Sequence, residues 1–247
     1  METKLDLEIL PQPDDTTCGP TCLHAVYRYY GDEISLDEVI GQVSHLTEGG
    51  TLAVMLGRHA LGRGYQARIH TNNLQVFDPT WFKEKSFPLR ERLLAQMEAK
   101  TSEKLRMACG AYVDFLDKGG EIRMDDFTPA LFRKYLTRSF PILTGLSSTY
   151  LYRCSREYGL QSIPDDVRGF PQGHFVVLCG YDSTSRNALV ADPYLKNPLG
   201  EEHYYEIEID HVIRAVLLGV LTYDSNLLII QPTQKKSEDK TSIPQNT

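Results

Sequence analysis

Cys18 is the residue best placed in this chain for covalent chemistry. It follows PQPDDTT and opens CGPTCLHAVYRYYG. Gly19 and Pro20 suit the first turn of a helix there, where the missing proline N–H is no loss. The partial positive charge at a helix start and its unbonded backbone N–H groups favour thiolate over thiol, and thiolate is the attacking form. Gln12 lies six residues upstream on the preceding loop. From there its amide can fold back and donate to an oxyanion forming beside Cys18. A cysteine nucleophile also needs a base. His174 follows the loop GFPQG and opens HFVVLCGYD, the most apolar strand-like run in the chain. An imidazole at the mouth of a buried strand is costly unless it is partnered or faces a cleft.

A third group should accept a hydrogen bond from the imidazole and fix its tautomer. Asp182 and Asp192 compete for this place. If 174–182 and 187–192 form a hairpin, loops of three to seven residues set Asp192 opposite a position between 174 and 178, zero to ~13 Å along the strand from His174. Asp182 lies eight residues along the same strand, about 26 Å away. Asp192 is therefore the expected partner.

The remaining cysteines and histidines have plainer readings. Cys22 sits one helical turn after Cys18 on the same face and should pack beneath it. Two thiols and a histidine invite a zinc reading, but a zinc site wants further ligands, and Cys109, Cys154 and Cys179 are expected to be small buried apolar residues. No metal and no organic cofactor is expected. His24 falls about 240° round the helix from Cys18, facing away, toward solvent or a supporting place. His45, His59, His70, His203 and His211 have no chemical neighbours visible in the sequence.

The elements that must position these groups come in two blocks. Helices are expected over 18–30, ended by Gly31, then from Ser35 to about Leu46, opened by the capping-box pair Ser35 and Glu38, and over about 51–61. A strand follows at 65–71. Residues 72–138 hold the only tryptophan, Trp81, and one long amphipathic helix marked by Leu93, Met97, Leu105, Cys109, Tyr112 and Leu116, with a shorter helix over 129–136. From Phe140 the chain is strand-rich, with strands expected at 141–146, 174–182, 187–192, 203–209 and 226–231. The run HFVVLCGY should be an inner strand buried on both faces. Residues 153–173 form a long connection running straight into His174, a length that suits a lid. Helices first and an antiparallel sheet later predict an α+β class. One domain over 1–231 with a helical insertion at about 72–138 is expected, followed by a loose tail at 232–247.

Net charge of -7 and pI near 5.5 argue against nucleic acid as the main partner. The segment 83–138 carries 12 Lys/Arg against 9 Asp/Glu. Its positive balance would suit an acidic stretch of substrate, although a solvated helix face is the plainer explanation. The start METKLDLEIL lacks the basic end and acid-free apolar run of a secretory signal. No stretch approaches the roughly 18 apolar residues of a membrane span. A cytoplasmic protein is expected, of a size and composition that leave its oligomeric state open.

QPDDTTCGPTC, GHFVVLCGYD and ADPY together resemble the double-glycine leader peptidases that process bacteriocins, and the looser set of stand-alone papain-like proteins similar to them. EGGTLAVMLGRHALGRGYQA at 48–67 resembles the helix and strand that follow in that family. The resemblance covers about 10–71 and 140–195. It implies a papain-like cysteine proteinase fold and a peptide or amide substrate. It also implies Cys18 as nucleophile, His174 as base, Asp192 as the orienting acid and Gln12 as oxyanion donor. An acyl- or peptidyl-transferase using the same groups, or a non-catalytic binding module, is the alternative.

Overall fold

The computed structural model of the protein describes residues 2–46, 49–84, 87–159, 161–200 and 202–233. In chain order the elements are β1 Glu2–Lys4, α1 Cys18–Tyr29, α2 Leu36–Gln42, α3 Ala53–Gly62, β2 Gln66–Thr71, α4 Leu89–Ala99, α5 Glu103–Asp117, β3 Glu121–Arg123, α6 Pro129–Leu136 and β4 Ile142–Ser147. There follow α7 Ser148–Tyr152, β5 Glu157–Tyr158, β6 Ile163–Pro164, β7 Gly173–Asp182, β8 Asn187–Ala191, β9 Tyr204–Glu208, α8 Ile209–Leu218 and β10 Asn226–Gln231. The class is α+β, as expected.

One sheet runs in the order β3-β2-β10-β4-β7-β8-β9, with β1 added along β7. Its pairs are antiparallel except β2 with β3, which is parallel. The expectation of a sheet built from the C-terminal half is thus too narrow, because β1, β2 and β3 all come from before residue 140. Strand β7 lies between β4 and β8 and is buried from His174 to Tyr181. That is the environment its unbroken apolar run requires. Helix α1 packs on β7 and β4, α3 on β2 and β10, and α8 on β4, β8 and β9.

Close packing fixes the first helix. A Cβ on Gly19 would overlap Thr51 Cγ2 and come within 3.3 Å of Leu56 Cδ1 and Phe175 Cδ2. Only a glycine allows the start of α1 to sit this near β7 and the entry to α3.

Several expectations need correction. The helix opened by Ser35 does have both halves of its capping box, but it ends at Gln42 and Val43 is already extended. The long helix of the middle segment is two helices. Lys100 turns extended (φ -113°, ψ 143°), and Ser102 starts a new helix by accepting from the Leu105 amide. This segment shares the main core: Phe77 meets Tyr112 edge-on at 4.7 Å, and Phe115 closes against Gly57 of α3. Residues 153–172 are not structureless, for β5 pairs with β6 and Glu157 bridges to Phe170. Cys154 is exposed there rather than buried, while Cys109 and Cys179 are buried. Of the expected tail, residues 234–247 lie outside the described residues, as does Glu48 of the stretch 48–67.

Candidate active site

Cys18 is the first residue of α1, and the residue before it leaves the helix end open. Thr17 occupies the N-cap but makes no side-chain cap; its hydroxyl donates instead to the Asp14 carbonyl at 3.1 Å. Asp14 organises this loop, its Oδ1 accepting from the Thr16 amide at 2.8 Å and the Thr16 hydroxyl at 2.7 Å. Gln12 is held from two sides. Its backbone N–H donates to the Pro193 carbonyl at 3.0 Å, and its side-chain Nε2 donates to the Asp14 carbonyl at 2.9 Å. One amide hydrogen anchors the side chain and the second stays available. Gln12 Oε1 is buried without a hydrogen-bond partner among the described residues.

His174 is the second residue of β7 and faces Leu146 of β4. Asp192 immediately follows β8, where Val177 pairs with Ala191, so Asp192 falls level with residue 176, within the expected range. The ladder shifts register between Leu178 and Gly180, a bulge of the kind that twists a strand locally. His174 Nε2 and Asp192 Oδ1 are 2.8 Å apart. With Nε2 donating to the carboxylate, Nδ1 is left free of it, and Cys18 is near enough to the ring to help raise its pKa. The structure therefore brings Cys18, His174 and Asp192 together, with Gln12 tied to the residue after Asp192. Cys18 keeps 8% of its surface exposed, while Asp192 has none.

The electrostatics follow from this burial. Removal from water works against a charged imidazole at His174, but the Asp192 carboxylate outweighs it and the pKa rises to about 10. Burial likewise opposes charge on Asp192; His174, the Tyr152 hydroxyl and the Tyr194 amide overcome it and hold the carboxyl below its ordinary value. A charged, mutually stabilised pair is the result. Cys22 is fully buried and its thiol donates to the Phe175 carbonyl at 3.3 Å. Burial pushes it far up, so it stays protonated beneath Cys18.

Sequence reasoning missed much of the surroundings of Asp192. Tyr152 and Tyr205 both donate to Asp192 Oδ2, at 2.7 and 2.8 Å. His203 bonds the Asp192 carbonyl through Nδ1 at 2.7 Å. Tyr205 left a usable signal: in the alternating strand HYYEIEI it has the inward parity, and a buried tyrosine seeks a partner for its hydroxyl. Tyr152 left none. His24 corrects the solvent reading, being only 4% exposed, with Nδ1 unpartnered among the described residues. A cavity of about 640 Å³ adjoins it, lined also by Leu10, Arg28, Ile34 and Leu36, and no triad residue lines it.

Residues 114–213 match the model of the Peptidase_C39 like family. The match contains His174 and Asp192, while Cys18 and Gln12 precede it. No curated protein matches the chain. Among solved structures, the chain is similar to a C39-like peptidase from Bacillus anthracis, with 13% identity over 95% of this chain and 100% of that one and a TM-score of 0.48. It is similar to the peptidase domain of ComA from Streptococcus, with 13% identity over 92% of this chain and 99% of that one and a TM-score of 0.42. Xylellain, a cysteine protease from Xylella fastidiosa, is similar at 13% identity over 94% and 86% of the two chains, with a TM-score of 0.42. The likeness to the Peptidase_C39 like family thus extends over residues 114–213.

Proposed function

We propose that the protein cleaves a peptide or amide bond through a Cys18–His174–Asp192 triad and a thioester acyl-enzyme. The observation that carries this reading is the position of the His174 ring. One nitrogen is tied to a buried carboxylate at 2.8 Å, and Cys18 acts on the same ring, helping to raise its pKa. With the Cys18 proton held on His174, the thiolate Sγ attacks the carbonyl carbon, and the carbonyl π electron pair moves onto oxygen. The Cys18 backbone N–H and the second amide hydrogen of Gln12 hold that oxyanion. Collapse breaks the C–N bond, and His174 passes its proton to the leaving amine. Water then attacks the thioester, giving up a proton to His174, and the C–S bond breaks to release the acid and restore the Cys18 thiolate beside the His174 imidazolium.

A peptide is the proposed substrate class, and the single domain over 1–231 with its insertion at about 72–138 remains part of the proposal. No helix among the described residues is long and apolar enough to cross a membrane.

The chain contains its own control for the nucleophile. Cys154 is exposed, whereas Cys18 is nearly covered. Limiting iodoacetamide at neutral pH should label Cys18 first, as peptide mass mapping would show. Faster labelling of Cys154 would overturn the assignment. Added amines that intercept the acyl-enzyme faster than water would turn the reaction class from hydrolysis to transfer.

A further inference from the structure

The carboxylate of Asp192 is fully enclosed, yet every acceptor site on it is used. Oδ1 accepts from His174 Nε2 at 2.8 Å and from the Tyr194 amide at 2.9 Å. Oδ2 accepts from the Tyr152 hydroxyl at 2.7 Å and the Tyr205 hydroxyl at 2.8 Å. An ionised carboxylate offers about four lone-pair sites, so this one is satisfied without water. The two phenols come from α7 and β9, separate from the strand that carries His174. Rotating the carboxylate away from the histidine would break both phenol bonds at once.

We propose that Tyr152 and Tyr205 are positioning residues, their two hydroxyls clamping Oδ2 of Asp192 so that the carboxylate stays charged and its other oxygen stays on His174. The role rests on the triad reading above. Phenylalanine would fill the same space equally well, so packing alone gives no reason for two hydroxyls to converge on one oxygen. The two tyrosines differ in setting. Tyr205 is buried, and it supplies the fixed side of the clamp. Tyr152 is half-buried, its ring 6.1 Å from His174 and 6.4 Å from Tyr194 between centroids. It directly precedes Arg153, whose φ of 53° turns the chain out into residues 153–172. The excursion beside the site is therefore rooted in a residue that grips Asp192. Other titratable groups around the carboxylate are Cys22 on α1, Cys18 beyond His174, and His203 on its backbone side.

The test is a titration by NMR of protein carrying ¹⁵N-histidine. The acid-side inflection of the His174 ring resonances reports protonation of Asp192 across their hydrogen bond. Tyr205→Phe and Tyr152→Phe each remove one donor to a charged acceptor and should move that inflection up by about one pH unit. The double variant should move it further. Tyr204→Phe is the control. Its hydroxyl donates to the Leu7 carbonyl at 3.0 Å and accepts from the Ile9 amide at 3.0 Å, so it should lower the Tm and leave the inflection in place. If Tyr205→Phe fails to fold, the half-buried Tyr152→Phe carries the same test. An inflection unmoved in a folded Tyr152→Phe or Tyr205→Phe variant overturns the proposal. Alkylation of wild-type Cys18 separates the two failures. Normal Cys18 reactivity with an unmoved inflection sinks only the clamp, whereas an inert Cys18 sinks the hydrolase reading itself.

Discussion

Replacing Asp192 with asparagine isolates what the carboxylate does for the site. Asparagine keeps the shape and one acceptor, but it removes the charge that lifts His174 from 6.5 to about 10. That rise corresponds to ~5 kcal/mol in favour of the imidazolium. Without it, burial acts unopposed by the carboxylate, and the pKa of His174 should fall below 6.5. At about pH 7.5 the imidazolium fraction would drop from nearly complete to under about a tenth. Alkylation of Cys18 by iodoacetamide, followed by intact mass from about pH 5 to pH 9, should then slow at least tenfold at about pH 7.5. Stability gives a second readout. The raised His174 pKa contributes stability that is complete below 6.5 and lost as pH rises through about 10. The depressed Asp192 pKa contributes stability that is complete above 3.8 and lost as pH falls below it. Both describe one interaction and count once. The Tm gap between wild type and Asp192→Asn should therefore be widest between about pH 4 and pH 6.5, shrink as pH rises toward about 10, and narrow again in acid. Superimposable alkylation profiles for the two proteins would refute the coupling.

Other perturbations give sharper or simpler outcomes. Cys18→Ala should abolish turnover while shifting the Tm little, because a small, nearly covered side chain is exchanged for a smaller one; peptide turnover at the wild-type rate would end the hydrolase reading. Gln12→Ala should cost about 10²–10³ in kcat if its amide serves the oxyanion, and an unchanged kcat would remove it from the mechanism. Gly19→Ala pushes a methyl into Thr51, which is branched at Cβ and tied to the Ser44 carbonyl at 3.1 Å. Chemical denaturation should show a loss of about 1–3 kcal/mol. Asp224 is a further case, since burial raises its pKa from 3.8 to about 7 while its carboxylate meets the Ala53 amide at the start of α3. An acid raised on folding loses stability as pH climbs from 3.8 to about 7. Asp224→Asn keeps a capping side chain and should be stabilised relative to wild type above pH 7 more than at about pH 4, as paired thermal melts would show.

The parts of the site that were legible share a physical property: they are written in local pattern. The start of α1 shows in Gly19 and Pro20, and β7 shows in an apolar run too long for a half-exposed strand. Hairpin arithmetic then narrowed the partner of His174 to Asp192 without any knowledge of the bulge. The break between α4 and α5 was hidden because Met97 and Leu105, eight residues apart, keep helical phase across it. Helix α8 was missed although Ile209, Val212, Ile213 and Val216 repeat at helical spacing, because the alternating strand β9 runs into it without a turn residue. The grip of Tyr152 and Tyr205 on Asp192 spans 40 and 13 residues. Such contacts depend on which strands become neighbours, and strand order is not contained in the pattern of any one strand.

Among the described residues strand β10 is made last, yet it sits between β2 and β4 near the middle of the sheet. A growing chain that has not yet released residues 226–231 holds β2 and β3 apart from β4, β7, β8 and β9. It also lacks the strand on which α3 rests, the helix whose entry buttresses the start of α1. Such long-range pairing is slow to form because distant segments must meet before any contact rewards them. If the proposed hydrolysis depends on the assembled sheet, a nascent product ending before β10 should be inert toward peptides around it.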